Sequence, residues 1–247
     1  MTGRGCLRSR LMWILLLQCE TRCRCLLTYA HGRIHSKAMA NARLDVDAAM
    51  RHLRHTDPRF CPLMDLYGPP KLHPTRNSFK SLVHSIIYQQ LSGKAAATIY
   101  GRFVQLFHTR RFPTPGAVRD MPMERLRSSG LSRQKATYLH ELAEMYLKGD
   151  IRPRCFGRMS AAEITAALTH VKGIGPWTAD TFLIFALNRP DVLPVGDLGV
   201  PKGMQQLCDL PALPDPDTMY RLATPWRPFR SAASWYLWRL LEEEPRP

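Results

Sequence analysis

Two helical stripes meet at a five-residue hinge, Lys172-Gly173-Ile174-Gly175-Pro176, and this junction constrains the chain more than any other feature. Upstream, Ser160 and Glu163 have the spacing of a capping box, and Ile164, Ala167, Leu168 and Val171 follow as the apolar face of a helix of about three turns. Downstream, Ala179, Phe182, Leu183, Ala186 and Leu187 repeat the pattern. Two glycines allow a tight turn and remove side chains that would hold a ligand away from the backbone, while Pro176 suits the first turn of a helix. A Gly-Ile-Gly turn opening a helix presents free N–H groups, which suits a DNA phosphate. The plain alternative is a packing corner between two helices.

The rest of the body reads the same way. From Asp45 onward apolar residues recur at helical spacing and no alternating strand pattern appears, so the expected fold class is all-α. Phe79, Leu82, Val83, Ile86 and Ile87 share one face of a helix opened by Asn77 or Ser78. After a break at Gln89 to Leu91, Ser92 caps a second helix with Ala96, Ile99, Tyr100, Phe103 and Phe107 inward. Ser132 opens a third, burying Leu139, Leu142, Ala143 and Tyr146. With 247 residues, 45% of them hydrophobic, the chain can bury an ordinary core. The expected division is an extension over 1–44 and a helical domain over 45–247, with the hairpin at about 160–187.

A formal charge of +15 favours a polyanionic partner, nucleic acid first, although charge alone also suits acidic membranes. The seven cysteines, at 6, 19, 23, 25, 61, 155 and 208, are odd in number and irregular in spacing, which argues against a disulfide framework. Cys19, Cys23 and Cys25 lack partners at zinc-finger spacing, so no metal site is expected. The first forty residues are rich in Arg and nearly free of acids. Their apolar run, Leu11 to Leu17, is too short to span a bilayer, and no membrane association is expected. The plainest reading is an extension outside the folded domain. A mitochondrial transit peptide comes second and secretion third.

The stretch Leu168 to Gly203, LTHVKGIGPWTADTFLIFALNRPDVLPVGDLGVPKG, resembles the helix-hairpin-helix DNA glycosylases, in which a hairpin precedes a Gly/Pro-rich loop and an aspartate. The likeness is to the 3-methyladenine branch and extends over about residues 45 to 240. Ser85-Ile86-Ile87-Tyr88-Gln89-Gln90-Leu91-Ser92 and Trp226-Arg227-Pro228-Phe229-Arg230-Ser231, continuing to Trp238, support it in the right order. The resemblance implies two helical subdomains flanking a cleft. No cysteine follows Cys208, so the four-cysteine iron–sulfur cluster of the endonuclease III branch is not expected, nor is any other cofactor.

By the same resemblance Asp197 is the catalytic carboxylate. Cleaving a glycosidic bond builds positive charge on the sugar, and a fixed carboxylate stabilises that transition state and orients a water. Asp197 could also simply cap the following helix. Asp180 and Asp191 are weaker candidates, the first expected on a solvated helix flank and the second in a turn. At position 177, members that also cut the strand carry a lysine nucleophile; this chain has Trp177, and Lys172 lies across the turn, so no Schiff-base lyase step is expected. Trp177 and Trp238, with Tyr236, are the expected base-binding aromatics, since an indole face attracts a cationic purine. Trp235 is read as core. Gln90 or Leu91 is the expected wedge that fills the gap left by a flipped base. Lys172, Gly173, Ile174, Gly175 and Arg230 complete the expected DNA-contacting set.

The implied activity is hydrolytic release of alkylated purines, 3-methyladenine and 7-methylguanine, from duplex DNA by a monomer working wherever genomic DNA is kept, nucleus or bacterial cytoplasm, with a mitochondrial site open through the extension. Two alternatives remain at this point: a glycosylase for deaminated or oxidised bases, and a catalytically silent DNA-binding module.

Overall fold

A computed structural model describes residues 43–109 and 111–242; residues 1–42 of the expected extension, with its four cysteines and the transit-peptide reading, therefore lie outside the described residues, whereas Leu44 is buried in the core. Among the described residues all regular structure is helical. Helices open where short polar side chains bond free N–H groups. Asp45 caps α1 (Val46–Thr56), and a 3-10 turn then leads into α2 (Cys61–Tyr67). Asn77 accepts from Lys80 N to start α3 (Ser78–Tyr88), and Ser92 starts α4 (Gly93–Gln105). Thr114 caps α5 (Pro115–Asp120), α6 (Met123–Ser128) follows, and Ser132 caps α7 (Arg133–Lys148). The starts at Ser92 and Ser132 are where the side-chain pattern put them, and of Asn77 and Ser78 it is Asn77 that caps.

The five expected residues of α3 are all buried, as are Leu139, Leu142 and Ala143 of α7. Helices α3 and α7 pack together, with α4 against α3 and α5 and α6 against α7. On α4 only Ala96 and Phe103 of the expected stripe are fully buried; Ile99, Tyr100 and Phe107 lie at its margin.

The hairpin joins this group to a second one. Helix α8 (Ala161–Thr169) carries the full capping box, with the Ser160 hydroxyl accepting from Glu163 N and the Glu163 carboxylate accepting from Ser160 N. Helix α9 (Pro176–Thr181) runs straight into a π-helical turn over Phe182–Ala186, where Leu187 N donates to Phe182 O. The expected stripe of Ala179, Phe182, Leu183 and Ala186 is buried, while Phe185, off that face, is 43% exposed. The second group comprises α1, α2, α10 (Gly199–Leu207), α11 (Pro216–Leu222) and α12 (Arg230–Leu240). Helix α12 packs on α10, α2 and α1 and is buried continuously from Arg230 to Leu237. Its contact with α10 is backbone-close: a Cβ on Gly203 would lie 2.6 Å from Leu237 O. That approach sets Trp238 beside the first turn of α10.

Candidate active site

Asp197 sits where the loop after the hairpin enters α10. Its Oδ1 accepts from Gly199 N at 2.7 Å and Val200 N at 2.9 Å, so it does cap the helix. The same oxygen accepts from Trp238 Nε1 at 2.8 Å, and Oδ2 accepts from Trp177 Nε1 at 2.6 Å. Two indoles from different helices thus converge on one carboxylate, which is half-buried rather than sealed. Gly199 is required here, because a Cβ would lie 2.9 Å from Trp238 Cδ1 and 3.0 Å from Asp197 Oδ1. Trp177 is 43% exposed, and Trp238 stacks on Phe185 with centroids 5.5 Å apart and planes inclined by 26°. Phe185 escaped the sequence reading. The available signal was an aromatic standing off the apolar stripe of its own helix.

The hairpin residues have unequal roles. Gly173 has φ +86, and a Cβ there would lie 2.1 Å from Tyr138 Cδ2, so this glycine is needed for both conformation and room. Ile174 turns its side chain into the core, and its N–H donates to Val171 O, which removes it as a direct ligand contact. Gly175 has an ordinary backbone conformation and nothing within 4 Å of where a Cβ would stand. Lys172 is exposed beside it. Gln90, at φ +54, and Leu91, 39% exposed, form the tip of the loop after α3.

Two expected site residues are elsewhere. Tyr236 is fully buried, its hydroxyl donates to Gly68 O, and its ring packs at 6.1 Å from Phe60; it belongs to the core and not to the base pocket. Arg230 is 8% exposed and clasps Asp191, Nη2 to Oδ2 at 3.0 Å, with Nε donating to Oδ1. Its charge is spent holding the loop that leads to Asp197, so it is not a DNA-contacting residue. Asp180 is also corrected: burial pushes its carboxyl up to about 6, the opposite of a solvated flank. Trp235 is buried, as expected. Among the described residues no three His, Cys, Asp or Glu side chains gather as a metal site.

A hairpin with an open glycine, followed twenty residues past Trp177 by a carboxylate held on four N–H groups, is a specific arrangement, and comparison with known proteins places it. Residues 83–228, more than half of the chain, match the model of the HhH-GPD superfamily base excision DNA repair proteins. This chain belongs to that superfamily. Among curated HhH-GPD relatives, it is 37% identical over 182 residues to DNA-3-methyladenine glycosylase 1 of Schizosaccharomyces pombe, covering 73% of this chain and 80% of that protein. Among solved structures, the S. pombe 3-methyladenine DNA glycosylase Mag1, in complex with abasic DNA, superposes with a TM-score of 0.68 at 36% identity. That match covers 78% of this chain and 95% of Mag1. A DNA-3-methyladenine glycosidase of Bacillus halodurans gives 0.70 at 33% identity, covering 77% and 88%. The all-α helix-hairpin-helix glycosylase fold that the resemblance implied is therefore the observed one.

Proposed function

We propose that this protein is a monofunctional DNA glycosylase of base excision repair that flips alkylated purines, 3-methyladenine and 7-methylguanine among them, out of duplex DNA and hydrolyses the N-glycosidic bond. The observation that carries this reading is the Asp197 carboxylate, fixed by the α10 N-terminus and two indole N–H groups at a partly open edge. As the purine departs with the bonding electrons, C1′ of the sugar gains positive charge, and a preorganised anion lowers the barrier without having to reorient. Water then adds to C1′ and loses a proton, leaving an abasic site. Alkylation makes the purine cationic, so it leaves as a neutral base and needs no proton from the enzyme. The exposed part of Trp177, and Trp238 backed by Phe185, offer aromatic surface to which such a cation is attracted. Lys172 and Gly175 supply the hairpin's phosphate contact, and the Gln90-Leu91 tip enters the base stack. The protein acts as a monomer where genomic DNA resides.

Incubation with methylated duplex DNA, followed by chromatography of the released bases, tests this. Release of 3-methyladenine and 7-methylguanine by the wild type and its loss in Asp197→Asn are expected; an inert wild type rejects the reading. Because Trp177 stands where strand-cutting relatives have lysine, borohydride should trap no covalent complex between the protein and substrate DNA.

A further inference from the structure

The loop that carries Gln90 and Leu91 is tied to the hairpin through one side chain. As α3 ends, Gln89 leaves helical geometry at φ −54 and ψ 131. Its Nε2 donates to Gly173 O at 2.7 Å and to Thr178 Oγ1 at 3.3 Å. The carbonyl can only accept, so the amide orientation is determined by its partner. Thr178 is buried and directly follows Trp177 in α9. On the loop side, Lys135 Nζ of α7 donates to Ile87 O and to Gln89 O, both at 2.7 Å, and so occupies carbonyls at the α3 C-terminus. One helical turn further along α7, the Tyr138 ring closes against Gly173. Helix α7 therefore grips both the loop and the hairpin turn, while Gln89 joins the two directly. Gln89, Lys135, Tyr138 and Gly173 line a cleft of about 460 Å³ together with the Gln90-Leu91 tip.

We propose that Gln89 is a positioning residue that couples insertion of the loop tip into DNA to the seating of Trp177 against Asp197, with Lys135 fixing the Gln89 backbone. The inference rests on the glycosylase reading above. A push on the tip reaches Gly173 O and Thr178 through the amide, and the next residue is the one whose indole bonds Asp197 Oδ2. A residue that merely added stability would lower the folded fraction and leave each folded molecule equally fast.

The test uses the full chain on a duplex containing one alkylated purine, with enzyme in excess. Gln89→Glu keeps the shape of the side chain and removes both N–H donors. We expect single-turnover base release to slow at least about tenfold, as a small misplacement near the reacting atoms does, with affinity for an abasic-analogue duplex changed less than about threefold. Leu91→Ala and Gln90→Ala are then made both in the wild type and in the Gln89→Glu variant. Whichever slows the wild type should slow the Gln89→Glu variant by less than about twofold, because the link it acts through is already cut. Lys135→Met should reproduce part of the loss. Thermal unfolding of every variant reports the folded fraction. Release unaffected by Gln89→Glu, effects that multiply, or a rate loss that follows the folded fraction would overturn the coupling alone. A wild type that releases no base takes down the glycosylase reading and this inference together.

Discussion

Asp197→Asn removes a charge but does more than that, and the surrounding hydrogen bonds say what. Oδ1 accepts from three N–H groups, so the carbonyl oxygen of asparagine must take that place. The new NH2 then lies where Oδ2 was, facing the Trp177 N–H donor across 2.6 Å. Two donors cannot share that distance, and the half-exposed indole must swing away. The charge itself is worth about 4 kcal/mol when it sits about 4 Å from a developing cation in an effective dielectric near 20, close to a thousandfold in rate. Trp177→Phe keeps an aromatic face and deletes the donor. One hydrogen bond to a charged acceptor, discounted for exposure, is worth about 1 kcal/mol, or about fivefold. Made on top of Asp197→Asn, the same change relieves a clash, and its cost should fall below about twofold. Single-turnover base release by all four proteins, with anisotropy on an abasic-analogue duplex to confirm binding, measures the cycle. More than about a tenth of wild-type release in Asp197→Asn would refute the electrostatic role, and a Trp177→Phe penalty equal with and without Asp197→Asn would refute the Oδ2 contact as its cause.

The two hairpin glycines should separate cleanly. Gly173→Ala meets both a positive φ and the Tyr138 ring and is expected to destabilise by about 2 kcal/mol or more in urea unfolding, whereas Gly175→Ala should stay within about 0.5 kcal/mol yet bind duplex DNA several-fold more weakly. Arg230→Gln breaks a partly buried pair and should cost about 2 kcal/mol, and Tyr236→Phe about 1 kcal/mol, each with base release per folded molecule unchanged; selective loss of activity at full stability would restore them to the site. Asp180 takes up its proton in the native state at about 6, before the unfolded chain does, so its contribution to stability rises as pH falls from above 6 toward 4. Asp180→Asn should therefore stabilise at pH 7.5 by about 1–2 kcal/mol, the burial penalty reduced by partial solvation, and the gain should vanish near pH 4. On a panel of single-lesion duplexes, cationic methylpurines should be released at least about a hundredfold faster than a neutral deaminated purine; comparable rates would contradict catalysis without a general acid.

The helix starts were legible because capping is local chemistry. Asn77, Ser92, Ser132 and the Ser160–Glu163 pair need only their own next turn, and each was identifiable from residue type and spacing. Asp197 was legible as both cap and carboxylate. What escaped depends on partners distant in sequence. Helix α12 is buried on nearly every side from Arg230 to Leu237, so it has no amphipathic stripe from which to read a facing direction. Whether Tyr236 meets a substrate or Gly68 O, and whether Arg230 meets a phosphate or Asp191, is decided by elements 168 and 39 residues away. Phe185 stands off the apolar stripe at regular helical spacing, and what gives it a place in the site is Trp238 on another helix, which no local pattern shows. Gln89 stood only at the break between two helices, since its partner in the hairpin lies 84 residues on.

On the proposed glycosylase reading, the arrangement of donors around Asp197 favours a particular kind of leaving group. Three of the four N–H groups bind Oδ1 and only one binds Oδ2, so one oxygen fixes the side chain and the other is the less occupied. Both are acceptors, and neither is placed to deliver a proton to a departing base. A carboxylate held this way can stabilise charge on the sugar but cannot relieve charge building on a neutral purine. The remaining barrier must then be lowered by the lesion itself, through the positive charge that alkylation places on the ring. Selectivity on this view needs no tight pocket reading every edge of the base. It follows, on the proposed reading, from Asp197 stabilising the sugar cation without supplying a proton to the base, so that an undamaged purine at the same site leaves far more slowly.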